Sequence, residues 1–254
     1  METLRRSPRQ SARLRAPAHY LPTLMRLDRF LANLPQYNRQ QVRLLLAQRR
    51  VRVDGQVVDD PRCEVRVFSH VQVDGQVLQA GEPARYLMLH KPAGCVSATR
   101  DPEHSTVLDL LPPTLREGLH IAGRLDYNTT GLLLLTNDGQ WSRRLTQPRT
   151  KQPKTYLVHT EDEIGAHYVA RFREGFHFAF EDLTTLPAQL DILGPREARL
   201  VIVEGRYHQV KRMFGQFDNK VVALHRKQMG AIRLDPGLAP GEYRELDAEE
   251  IASV

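Results

Sequence analysis

Cysteine is nearly absent from this sequence: in 254 residues only Cys63 and Cys95 carry thiols, and they form no CxxC pair. Neither a disulfide framework nor a cysteine-based zinc site is expected, and a reducing, cytoplasmic compartment fits. Long apolar runs are missing too. The strongest, Leu132 to Leu135, falls far short of the roughly 18 to 20 residues of a membrane helix, so no transmembrane segment is expected. The first residues lack the apolar stretch of a secretory signal, although their Arg- and Ser-rich, acid-poor character overlaps superficially with an organellar transit peptide. No GxGxxG, P-loop or HExxH motif occurs, and the ten histidines show no ligand spacing. The expected cofactors and metals are therefore none.

What the chain does have is 41% hydrophobic content, enough for an ordinary core, and a net charge of +6 that is unevenly placed. Residues 1–24 hold five Arg and one Glu, and residues 25–80 hold nine Arg against six acids. From Gly81 onward, 22 basic residues face 23 acidic ones, so the whole surplus is N-terminal. Concentrating Arg on a small module suits RNA or DNA, because each neutralised phosphate releases condensed counterions. A solvated basic surface is the plainer reading, and charge alone does not choose between them.

Residues 1–24 mix Arg, Ser and Pro without an apolar face and read as a basic flexible arm. From Met25 the pattern changes. Leu27, Phe30, Leu31 and Leu34 space one face of a short helix, which Pro35 ends. Asn38 to Gln41 reads as a capping box opening a second helix, Arg39 to about Gln48, with Val42, Leu45 and Leu46 inward. Two alternating segments follow, Val51 to Val57 and Val71 to Val77, each centred on Asp-Gly and each a predicted hairpin. Residues 81–85 have linker composition. Residues 86–254 then alternate strand and helix patterns, predicting an α+β domain on a mixed, largely antiparallel sheet. Its predicted helices are Trp141 to Leu145, about Gly165 to Arg173, and Tyr207 to Phe217, with Tyr207, Val210, Phe214 and Phe217 as the buried stripe of the last.

Two short helices feeding small strands, with Arg26, Arg39, Arg43, Arg49 and Arg50 around them, resemble the S4 RNA-binding domain over residues 25–80. Arg50 departs from that pattern, since S4 domains often carry Gly before this strand. The resemblance implies that these arginines contact RNA. Taken singly, each reads as a solvated helix face or a weak ion pair.

Within Gly123 to Gly139, a lone acid, Asp126, sits on a loop of turn and hydroxyl residues just before a buried strand. Locally it reads most simply as a turn former or cap. The segment as a whole, GRLDxxTxGLLLLTNDG, resembles the signature loop of RsuA-type pseudouridine synthases, in which this aspartate is catalytic. Other motifs agree in order: Tyr86 to Gly94 with its KPxG turn at Pro92 and Gly94, Lys154 to Tyr156 as KxY, and Glu204 to Phe214. By that resemblance Asp126 is the catalytic carboxylate, Tyr156 lies against the target base, and Lys211 is the counterion of the aspartate. Without it, Tyr156 is a packed strand aromatic and Lys211 a surface cation. Arg124 and Arg226 are further candidates for holding phosphates, with loop tethering the alternative for Arg124.

The function implied is isomerisation of a uridine to pseudouridine in ribosomal RNA, with the small-subunit 16S RNA and its uridine 516 as the expected target. The partner expected is ribosomal RNA or a small-subunit assembly intermediate, met by a monomer without a membrane. A large-subunit 23S enzyme of the same family is one alternative, and a non-catalytic S4-type ribosome-assembly factor is another. A glycoside hydrolase fits less well, because no second acid accompanies Asp126.

Overall fold

The computed structural model describes residues 24–254, so the predicted basic arm, apart from Leu24, lies outside the described residues. The chain divides between Glu82 and Pro83 into two compact units.

The first unit starts with α1 (Leu27–Ala32) and α2 (Arg39–Ala47), which bury Leu27, Phe30, Leu31, Val42, Leu45 and Leu46 in a common core. The predicted capping box is present: Gln41 N donates to Asn38 Oδ1 at 2.9 Å and Asn38 N to Gln41 Oε1 at 2.8 Å. The two Asp-Gly segments form hairpins, β1 (Val51–Val53) with β2 (Gln56–Val57) and β3 (Val71–Val73) with β4 (Gln76–Gln79). Strands β1 and β3 pair antiparallel to complete a four-stranded sheet. Alternation does the rest, since Val51, Val53, Val71 and Val73 point into the core while Arg52 points out.

The junction from α2 into β1 explains how Arg is accommodated at position 50. Arg50 N donates to Leu45 O at 3.1 Å and Arg49 N to Leu46 O at 2.9 Å, which is a Schellman closure. The left-handed residue is Arg49, with φ of 56°. That conformation costs a side-chain-bearing residue roughly 1–2 kcal/mol, against roughly 0.5–1 kcal/mol for the extra freedom glycine loses on folding. Arg49→Gly is expected to raise unfolding free energy by about 0.5 kcal/mol, read by urea denaturation.

The second unit is a nine-stranded sheet. Its strands are β5 (Tyr86–Lys91), β6 (His120–Ala122), β7 (Thr130–Thr136), β8 (Lys154–Thr160), β9 (Gln189–Gly194), β10 (Glu197–Ile202), β11 (Val221–Met229), β12 (Ile232–Arg233) and β13 (Tyr243–Glu245). The main order is β9-β10-β8-β11-β7-β5-β13, with β6 on β7 and β12 on β11. All pairs are antiparallel except β7 with β11, which are parallel. The α+β architecture and mixed sheet are those the sequence pattern predicts.

Central strand β7 shows why four consecutive leucines make a strand rather than a helix. Leu133 and Leu135 enter one core with α4 (His167–Glu174) and α5 (Gln209–Gly215), while Leu132 and Leu134 enter another with Trp141 and Leu145 of α3 (Gly139–Thr146). A strand covered on both faces has no polar positions to offer. Asp138 starts α3 by accepting from Gln140 N at 2.9 Å and Trp141 N at 3.2 Å. Asn137 Oδ1 accepts from Arg85 N at 2.8 Å, fixing the entry into β5.

The parallel contact requires Gly131. Its φ is +104°, and a Cβ there would lie 2.7 Å from the main-chain nitrogen of Arg226. Only glycine lets β7 and β11 approach where Arg226 sits opposite it.

The helices of this unit start and stop one to two residues from their predicted bounds, and the shift matters most in α5, which runs Gln209–Gly215 instead of Tyr207 to Phe217. The last large helix begins at Gln209 rather than Tyr207, because His208 is left-handed with φ of 48° and breaks the register. Tyr207 consequently leaves the apolar stripe and is 76% exposed, whereas Val210 and Phe214 are buried.

Candidate active site

Residues 123–129 form a loop whose main chain is tied from several distant points. Arg226, fully buried, donates from Nη2 to Gly123 O at 2.8 Å, from Nη1 to Arg124 O at 3.3 Å, and from Nε to Leu132 O at 2.8 Å. The hydroxyl of Ser97 donates to Leu125 O at 2.7 Å and accepts from Leu125 N at 3.0 Å. Lys91, also fully buried, directs its ammonium to Pro92 O, Tyr127 O and Thr129 O at 2.9, 3.1 and 2.9 Å. Burial pulls the Lys91 pKa down, while the thiol of Cys95 and the carboxylate of Asp126 hold it up. Gly94 N reaches Tyr127 O at 3.1 Å, and Thr129 N closes a turn on Asp126 O at 3.0 Å.

Such anchoring leaves the Asp126 side chain free of the main chain. Among the described residues its carboxylate accepts no backbone N–H, so it is not the cap that local sequence suggests. Its two oxygens face cations instead. Lys211 Nζ lies 3.5 Å from Oδ2 and His208 Nε2 lies 3.6 Å from Oδ1. The three side chains keep 29%, 35% and 38% of their surface for Asp126, Lys211 and His208, open enough for a substrate to reach. The arrangement sets a carboxylate, the group a nucleophile or base requires, beside an ammonium and an imidazole.

The cations come from one turn of chain. His208 precedes α5 and Lys211 lies in its first turn, while Val210, Met213 and Phe214 bury the opposite face. Glu204, buried, braces the turn before the helix. Its carboxylate accepts from Leu186 N at 2.8 Å, Gln209 Nε2 at 2.8 Å and Arg206 Nε at 3.1 Å.

Asp126 lines a cleft of about 570 Å³ that also holds Tyr156, Lys154, Arg124, Tyr207 and Lys211. Tyr156 and Lys154 alternate with outward residues along β8, so the KxY spacing sets both on the same side. Tyr156 is 7% exposed and packs into the core as well as forming cleft wall, so packing and a substrate-facing position coexist in one residue.

Burial, with a smaller contribution from Arg226, lowers the pKa of Lys154 from 10.5 to about 8. Between those values the unfolded chain binds more protons than the folded one, so stability rises as pH increases through that window. Lys154→Met is expected to flatten the rise between pH 8 and 10.5, as measured by urea unfolding across pH.

The arginines of the first unit are exposed. Arg26 pairs with Asp28 at 2.7 Å, Arg49 with Asp59 at 3.1 Å, and Arg50 Nε with Asp74 Oδ1 at 2.8 Å. Arg39 and Arg43 have no ion partner among the described residues. Arg124 is exposed at the cleft. Arg226 requires a correction: its guanidinium is spent on three carbonyls inside the protein and serves the loop rather than a phosphate.

Among the described residues, no group of three or more His, Cys, Asp or Glu is arranged to hold a metal, and no helix is long and apolar enough to cross a membrane. Lys91, Ser97, Glu204 and His208 do not stand out as site residues from sequence. For His208, its spacing three residues before Lys211 is a usable signal. Ser97 offers none, because its partner lies 28 residues away.

Residues 85–216 match the family model described as RNA pseudouridylate synthase, and residues 25–68 match the S4 domain. The chain is 66% identical over 230 residues to "Ribosomal small subunit pseudouridine synthase A" of Pseudomonas aeruginosa, covering 91% of this chain and 100% of the relative. The protein of the same name from Escherichia coli strain K12 is 46% identical over 230 residues, with 91% and 100% coverage. A solved structure described as a pseudouridylate synthase superposes with a TM-score of 0.66 at 41% identity, covering 90% of this chain and 99% of that one. An aspartate on a tethered loop, facing two cations, thus sits within a chain that belongs to the RNA pseudouridylate synthase family and carries an N-terminal S4 domain.

Proposed function

We propose that this chain converts one uridine of small-subunit ribosomal RNA to pseudouridine, and that the target is uridine 516 of the 16S RNA. The observation that carries the chemistry is Asp126, aimed at Lys211 and His208 from a loop bound on nearly every side. The small-subunit target rests on the high identity to relatives named for that activity.

The reaction breaks the N1–C1′ bond, turns the uracil, and forms a C5–C1′ bond. The proton leaves C5 and N1 gains one, so atoms and electrons balance without an added reactant. Asp126 is the essential carboxylate, Lys211 is its counterion at 3.5 Å, and Tyr156 lies against the uracil. Reaching the bond requires extruding the nucleotide, at a cost of a few kcal/mol. Contacts with the surrounding RNA offset that cost. Arg39 and Arg43 are available for phosphates directly, while Arg26, Arg49 and Arg50 can exchange weak exposed ion pairs for phosphate contacts. Arg124 adds a cation at the cleft.

Acting on ribosomal RNA or an assembling small subunit places the protein in the cytoplasm, and a single copy supplies Asp126, Tyr156, Lys211 and the arginines alike. Tritium release from C5-labelled uridine provides the test. Purified protein is expected to release label from small-subunit RNA and not from large-subunit RNA. Release from the large subunit alone would overturn the target, and release from neither would favour a non-catalytic RNA-binding role.

A further inference from the structure

Tyr207 is the most exposed aromatic residue at the cleft, at 76%, and its ring is stacked on His208 with centroids 3.9 Å apart and an interplanar angle of 20°. His208 in turn lies 3.6 Å from the Asp126 carboxylate. An aromatic face is therefore presented to solvent one ring away from the proposed reacting group.

The ring is held there. Its turn is fixed by the buried Glu204 contacts, by Gln209 Oε1 accepting from Arg206 N at 3.0 Å, and by Arg212 Nη1 donating to Tyr207 O at 3.4 Å. His208 is kept left-handed, a conformation that costs a residue with a side chain about 1 kcal/mol or more. Had His208 been helical, Tyr207 would have fallen on the same helix face as Val210 and Phe214, which are buried. The surrounding structure instead maintains an unfavourable residue conformation that leaves an apolar ring in water. Fixing the ring in advance lowers the ordering cost when a flat partner lands on it.

We infer that the Tyr207–His208 stack is a binding platform for an unpaired nucleobase, the immediate neighbour of the uridine that enters the cleft. This rests on the pseudouridine synthase reading above. A nucleobase is favoured because a base next to an extruded nucleotide has lost a stacking partner, and Tyr207 offers a replacement face at the cleft. Stacking on an aromatic side chain tolerates any base and is worth about 1–3 kcal/mol. Arg124 and Arg206, both exposed and both lining the cleft, supply positive charge for the adjoining phosphates, Arg206 while its Nε stays paired with Glu204.

The test uses small-subunit RNA ligated around a synthetic insert, intact or with an abasic site immediately 5′ or 3′ of the target uridine. With intact RNA, Tyr207→Ala is expected to raise KM about tenfold with kcat little changed, whereas Tyr207→Phe and Tyr207→Trp behave like wild type. On one of the two abasic RNAs the penalty of Tyr207→Ala disappears, because the stacking partner is already gone. An equal penalty on all three RNAs, or none on intact RNA, would overturn the platform while leaving the enzymatic reading in place. If wild type modified no intact RNA, the target reading would fail and this inference with it.

Discussion

Asp126→Asn is expected to lower pseudouridine formation by roughly 10⁴-fold or more while leaving the protein folded and able to bind RNA. The substitution is close to isosteric and removes only the negative charge. Asp126 makes no side-chain hydrogen bond to the main chain among the described residues, and its side chain is 29% exposed, so the fold has little at stake in it. Chemistry loses more. An amide cannot act as an anionic nucleophile or base, and Lys211 at 3.5 Å is left without its counterion. Single-turnover tritium release measures the rate, and circular dichroism with urea unfolding checks the fold. Wild-type turnover in the Asn variant would remove Asp126 from the mechanism.

Arg226→Met is expected to be severely destabilising, costing about 3–5 kcal/mol of unfolding free energy. The guanidinium serves three carbonyls, of Gly123, Arg124 and Leu132, and the residue is 1% exposed. Methionine fills much of the volume and satisfies none of them, and each stranded carbonyl carries a penalty of about 1–3 kcal/mol, relieved in part by local rearrangement. Lysine does not replace the fork, because a single ammonium cannot reproduce its divergent planar donors. Two of the three carbonyls belong to the loop that aims Asp126, so the folded fraction should also turn over about 100-fold more slowly, the scale of loss associated with a misplacement of about 1 Å. Urea unfolding and turnover per folded molecule measure the two effects separately. A variant with wild-type stability and rate would show that the loop is held without Arg226.

The contrast between these two residues shows what the sequence could express. Local patterns were legible. The Asn38 and Gln41 capping box, the Asp54-Gly55 and Asp74-Gly75 hairpins, and the buried Leu132 to Leu135 strand each follow from residues within a few positions of one another. Asp126 was visible by its company in the motif, whereas local propensity pointed to a cap. The geometry shows why propensity misled there: the loop's main-chain groups are satisfied from Ser97, 28 residues away, and from Arg226, 103 residues away from Gly123. No spacing rule connects residues that meet only because β7 and β11 run side by side at Gly131. Arg226 read as a candidate for holding phosphate for the same reason, since nothing near it in sequence signals the carbonyls of Gly123, Arg124 and Leu132 that it meets. Tyr207 failed differently. Its spacing suited a helical stripe, and one left-handed residue, His208, ended the helix before reaching it.

Mapping pseudouridines across both ribosomal RNAs, in cells with and without this gene, tests the central claim most directly. Loss of the mark at uridine 516 of the 16S RNA, restored by the wild-type gene and not by Asp126→Asn, is the predicted result. Persistence of that mark, with a different one missing from the large subunit or none missing anywhere, would contradict it.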